Sequence, residues 1–219
     1  MFAALRNEVD IRLLAVQQSL IAIARVEADA AFPADVSKTL KGLVFVQLYA
    51  VYEYCVTTSV QTGIRAVNSS NLALRDLRHE LLSLALDDGC RSLADCGASR
   101  TWDVRLNLMA RTRSSDPVQA PETVFPADGT HYRVGQLSTI WSLFGIVEPC
   151  VPDNRFIGRI DELVELRNGI AHGRMTAEDV GSRFSLTDLQ SRHGDTKALC
   201  EHVVTVVEGH VTDIARLKA

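Results

Sequence analysis

Between Lys41 and Arg65 the chain carries a single charged residue, Glu53, in an otherwise apolar and small-polar run. Pro33 precedes this stretch and Asn68-Ser-Ser-Asn71 follows it, so it reads as one helix ending near Val67, with Asp35 or Ser37 as its cap. A helix that is apolar nearly all round has no face to offer water and belongs at the centre of a domain. The remaining chain must therefore cover it. Glu53, a lone carboxylate on that helix, needs a hydrogen-bond donor.

The flanking segments supply amphipathic faces. Leu5, Val9, Leu13, Val16, Leu20 and Ile23 step by fours and threes, the pattern of a helix reaching about Ala30. Leu74, Leu77, Leu81 and Leu84 predict a third helix, stopped or bent at Asp87-Asp-Gly89. A fourth spans about Thr101–Thr112 and holds the most basic stretch, with Arg100, Arg105, Arg111 and Arg113 against Asp103. Such a run is either a solvated helix face or an RNA-backbone contact, which makes Arg105, Arg111 and Arg113 candidates. Residues 116–132, with Pro117, Pro121, Pro126 and Asp128-Gly129, lack periodicity and read as a loop or flap. A short helix follows at about Gln136–Phe144. Thr176-Ala-Glu-Asp179 and Ser185-Leu-Thr-Asp188 resemble capping boxes with Asp in place of Glu. Leu199, Val203, Val206, His210, Ile214 and Leu217 then form a closing stripe. On this reading the core is about 1–67 and 153–219, with residues 69–150 as an insertion in a single domain of 1–219.

The chemistry concentrates after Pro149 and Pro152. Phe156, Ile160, Leu163, Val164 and Ala171 recur at helical spacing, and one further step from Leu163 lands on Arg167. A guanidinium at a core position demands a carboxylate or a solvent-filled cleft. Glu53, equally short of local partners, is the carboxylate expected to meet it and to orient it. Five residues on, His172 precedes Gly173, a helix stop. Arginine matches phosphate oxygens and histidine exchanges protons near neutral pH. On an unbroken helix the two lie about 140° apart, so one copy makes a wide, incomplete site. Two copies facing across a dimer axis make a compact one.

Arg167-Asn-Gly-Ile-Ala-His172-Gly, ending a helix that contains Asp-Glu-Leu-Val-Glu-Leu, resembles the Arg-x4–6-His signature of HEPN domains. The segment from Leu40 to Glu53, ending Tyr49-Ala-Val-Tyr-Glu53, is similar to a second helix in the MAE_28990/MAE_18760-like branch of that family. The resemblance implies an all-α, up-and-down helical bundle and a homodimer with the site at its interface. It further implies a metal-independent endoribonuclease of a toxin–antitoxin or antiphage defence module, with RNA as substrate and an antitoxin or defence-system protein as partner. His172 would be the base, Arg167 would stabilise phosphate charge, and Asn168 and Glu53 would support them. Some toxin members carry a tyrosine two residues after the histidine; Arg174 stands there instead and is a candidate for a further phosphate contact. A catalytically inactive HEPN module that dimerises and partners another protein is the alternative.

Composition bounds these expectations. A net charge of −4 argues against broad, non-specific coating of nucleic acid, and 6% aromatic residues leave little for a base-stacking sheet. Charged residues interrupt the N-terminal stretch, and the uncharged run Gly42–Tyr52 is too short to span a bilayer. Five cysteines without a CxxC pair read as reduced thiols, although Cys90 and Cys96 are near enough in sequence to bond. A cytoplasmic protein is expected. His202 and His210 share a face and His79 adjoins Glu80, but no HExxH motif or Cys/His cluster appears, so neither metal nor cofactor is expected.

Overall fold

A computed structural model describes residues 1–122 and 132–219. The described residues form helices and connecting turns, with no strand beyond two isolated bridges. They divide into two compact units.

The first unit comprises residues 1–58, 132–137 and 149–204. Helix α1 (Phe2–Ala28) buries the seven residues Phe2, Leu5, Val9, Leu13, Val16, Leu20 and Ile23, which is the predicted stripe with one residue added. Pro33 separates it from α2 (Ala34–Ser69). Asp35 and Ser37 lie inside the first turn of α2 and do not cap it; the Ser37 hydroxyl donates back to the Ala34 carbonyl. By length and composition α2 is long and apolar enough to cross a membrane, although its uncharged run is not. Of the 18-residue apolar window of α2, 56% is buried within the protein, and Val44, Phe45, Leu48, Tyr52, Cys55 and Val56 are among the buried residues of the helix. The helix extends beyond this unit at Ser59.

Helix α7 (Arg155–Ala171) buries Phe156, Ile160, Leu163 and Val164 as predicted. Its first turn is closed by the Asp153 carboxylate, which accepts from the Arg155 amide at 2.9 Å. Ala171, predicted as the next buried position, is exposed because the helix ends there. Helix α8 (Ala177–Gly181) opens on the predicted capping box: the Asp179 amide donates to the Thr176 hydroxyl at 3.0 Å. It crosses α2 with backbone against backbone. A β-carbon on Gly42 would strike the Ala177 carbonyl, and one on Gly181 would strike the Lys38 carbonyl. Helix α9 (Leu186–Val211) follows the second box, in which the Asp188 amide donates to Ser185 at 3.1 Å. Leu199, Val203 and Val204 of α9 are buried in this unit.

The second unit comprises residues 59–122, 138–148 and 205–219. The third helix expected from the leucines is broken into a 3-10 turn at Leu74–Asp76, then α3 (His79–Ala85) and α4 (Asp87–Asp95), bent at Asp87 as expected. Isolated bridges explain the break, pairing Ala73 with Pro117 and Leu77 with Lys218. Helix α5 (Thr101–Arg111) returns along α4, where Leu108 packs against Gly89. The start of the expected flap is pinned: Asn68 exchanges two hydrogen bonds with Ala120, at 2.8 and 2.9 Å. The rest of that expectation, residues 123–131, lies outside the described residues.

Helix α6 (Val134–Phe144) ends on Gly145, whose φ of +69° favours glycine. At the C-terminus α9 stops at Val211, and α10 (Ile214–Leu217) begins on an Asp213 cap. That break turns Ile214 of the predicted stripe out to solvent, 49% exposed, while His210 and Leu217 stay buried. All five cysteines are free thiols.

Candidate functional site

Arg167, Asn168 and His172 occupy the last turns of α7, in the first unit. Asn168 is buried, and its side-chain oxygen accepts from Arg167 Nη1 at 2.9 Å. The same residue's carbonyl accepts from the His172 amide at 3.0 Å, so Asn168 ties both neighbours of the motif to one point. Gly173 then adopts φ +68°, a left-handed turn that suits glycine, and donates to the Ile170 carbonyl. The reversal lays Met175 over Gly169, whose missing side chain leaves the space.

His172 caps this helix from the outside, with its ring exposed. Among the described residues its side chain makes no hydrogen bond or ion pair. An imidazole so placed is open to a ligand on both ring nitrogens.

Arg167 is half-buried, and the direct pairing expected with Glu53 does not form. Tyr49 stands between them. The guanidinium carbon lies 4.8 Å from the centre of the Tyr49 ring, over its face, and the Tyr49 hydroxyl donates to Glu53 Oε1 at 3.3 Å. Tyr49 and Glu53 share a face of α2 because they are four residues apart. Burial holds the Tyr49 phenol well above its usual range; the charge of Glu53 adds to that, and Arg167 opposes it. Tyrosine therefore stays neutral, offering a π-face to the cation and a hydroxyl to the anion. Sequence reasoning includes Tyr49 in the second-helix resemblance but gives it no role, since a tyrosine in an apolar run reads as core. The signal was its spacing of four from Glu53.

The surroundings are polar. Arg133 Nη1 bonds Asp161 at 2.7 Å, and its other terminal nitrogen lies 3.5 Å from Glu165. Arg174 Nη1 is 3.6 Å from the second Glu165 oxygen, so this arginine faces a carboxylate on the exposed side of α7. The basic candidates of α5 belong to the second unit. Arg105 lies over the Trp102 ring at 5.1 Å, Arg111 bonds Asp88 at 3.1 Å, and Arg113 is exposed. Among the described residues no group of three or more His, Cys, Asp or Glu side chains is placed to hold a metal ion.

No curated protein and no solved structure matches this chain. The model of the MAE_28990-like HEPN family does match it, over residues 3–212. A match of that extent, on a helical chain, places the protein in this family: it is a HEPN protein of the MAE_28990-like branch.

Proposed function

We propose that the protein is a metal-independent endoribonuclease, acting in the cytoplasm as a toxin or antiphage defence module. The observation that carries this reading is the disposition of the α7 terminus. Among the described residues a guanidinium is held on Tyr49 and Asn168 without a direct carboxylate partner, and an imidazole is open to solvent about one and a half turns beyond it. A cation and a proton-transferring group sit at one helix end, as phosphodiester chemistry requires.

RNA supplies its own nucleophile. With His172 taking its proton, the 2′-oxygen attacks the adjacent phosphorus, and the P–O5′ bond breaks. A 2′,3′-cyclic phosphate and a 5′-hydroxyl end result, the leaving oxygen taking a proton from the second protomer's histidine. Arg167 stabilises the charge that builds on the phosphate oxygens. Because Arg167 and His172 diverge around one helix, a homodimer with the site at its interface completes the constellation.

Loss of His172 is expected to lower cleavage by about 10²- to 10⁴-fold, the usual worth of a positioned acid–base group. Induced expression of the parent should arrest growth and create RNA ends carrying 5′-hydroxyls, while His172→Ala should do neither. Equal RNA integrity in both strains would instead favour an inactive module that acts through a partner protein.

A further inference from the structure

Helix α5 is oriented against its own composition. Leu108 is its one buried residue, while Trp102, Leu106 and Met109 are 71%, 68% and 58% exposed. At about 100° per residue these three fall within roughly 60° of arc, so the exposed face is a continuous apolar stripe, and the exposed Arg113 lies two residues beyond the helix end. Arg105 flanks the stripe and lies over the Trp102 ring. Arg111 is neutralised by Asp88. By contrast, Arg100, Arg105 and Arg113 have no carboxylate within 4.0 Å among the described residues.

We infer that α5 is a docking face for another polypeptide: an amphipathic helix whose apolar side chains are flanked by Asp or Glu. Tryptophan, arginine and methionine are the side chains that interfaces concentrate, and a solvent-facing stripe of this spacing is how one helix reads another. Charge complementarity selects the occupant. Arg100, Arg105 and Arg113 outnumber the exposed Asp103, so a second copy would set a net positive patch against itself, which repels. Single-stranded RNA would satisfy the arginines but would meet one indole beside two aliphatic side chains that offer no stacking surface. An acidic, apolar-faced helix satisfies both. Docking of this kind needs neither Arg167 nor His172.

The test uses the full chain and a displayed library of 20-residue amphipathic helices, randomised at the positions beside the apolar stripe. Selected peptides are expected to carry Asp or Glu there and to shift the emission of Trp102 to the blue; Trp141, the only other tryptophan, is already buried. Trp102→Ser/Leu106→Ser and Arg105→Glu/Arg113→Glu should each weaken those peptides by about tenfold or more. All four positions are exposed, so circular dichroism and Tm should stay at the parental values. Recovery of no peptide, of peptides indifferent to flanking charge, or of peptides that bind the variants equally well would overturn the inference. So would a single-stranded oligoribonucleotide that alone quenches Trp102, or a parental dimer that Leu106→Ser dissociates.

Discussion

Tyr49 decides how the motif arginine is held. Removing only its hydroxyl, in Tyr49→Phe, keeps the ring under Arg167 and takes the donor from half-buried Glu53. The expected loss is about 1–2 kcal/mol of stability, with the proposed RNA cleavage within severalfold of the parent. Tyr49→Leu removes the ring face as well, so the guanidinium loses its seat; cleavage should fall by tenfold or more. Urea denaturation and cleavage rates, measured on the same two variants, separate these effects. Equal cleavage by both would show that Arg167 needs no aromatic support. Glu53→Gln keeps an acceptor for the hydroxyl and should behave like Tyr49→Phe or better.

Among the elements, the crossing of α8 over α2 carries the sharpest steric demand. Gly181→Ala places a methyl group against the Lys38 carbonyl and the Gly42 amide, both backbone, which cannot rotate aside. The substitution should cost roughly 1–3 kcal/mol or more, against a gain of about 1 kcal/mol in helix propensity, and thermal unfolding would read the difference. This crossing was not legible in the sequence. Gly42 and Gly181 are remote along the chain, and neither breaks its local pattern. Features governed by local period were legible: the α1 stripe, the α7 stripe up to Val164 and both Asp-closed capping boxes. The errors fell at helix ends. Asp35 entered the first turn, while Ala171 and Ile214 came out to water because their helices stopped beside them. Leu74 and Leu77 kept their burial yet lost their helix to pairing with Pro117 and Lys218, partners no window around them contains. The site showed the same division. Arg167, Asn168 and His172 were legible as a motif, whereas the role of Tyr49 depends on a residue more than a hundred positions away.

At the scale of the molecule, stability should respond to pH through a residue the proposed chemistry does not use. His210 is 2% exposed near the end of α9. Burial lowers its pKa below the ordinary histidine value; the positive charges of Arg216 and Arg78 act in the same direction, and the Phe144 backbone and Glu148 oppose them. The folded chain thus holds this ring neutral where an unfolded chain would begin to protonate it. As pH falls through 6.5 the unfolded state binds the proton first, and stability declines until the lowered folded value is reached. Above 6.5 the contribution is complete and flat. Glu148 and Glu80, held low by hydrogen bonds from Arg216 and Arg78, produce a separate loss below the ordinary glutamate range. The two windows can therefore be separated in one titration. In the parent, the unfolding midpoint in urea should drop between pH 7.5 and 5.5, then again below pH 4.5. His210→Gln, which cannot titrate, should abolish the first drop and leave the second. A first drop that survives the substitution would show that His210 does not set the neutral-range response.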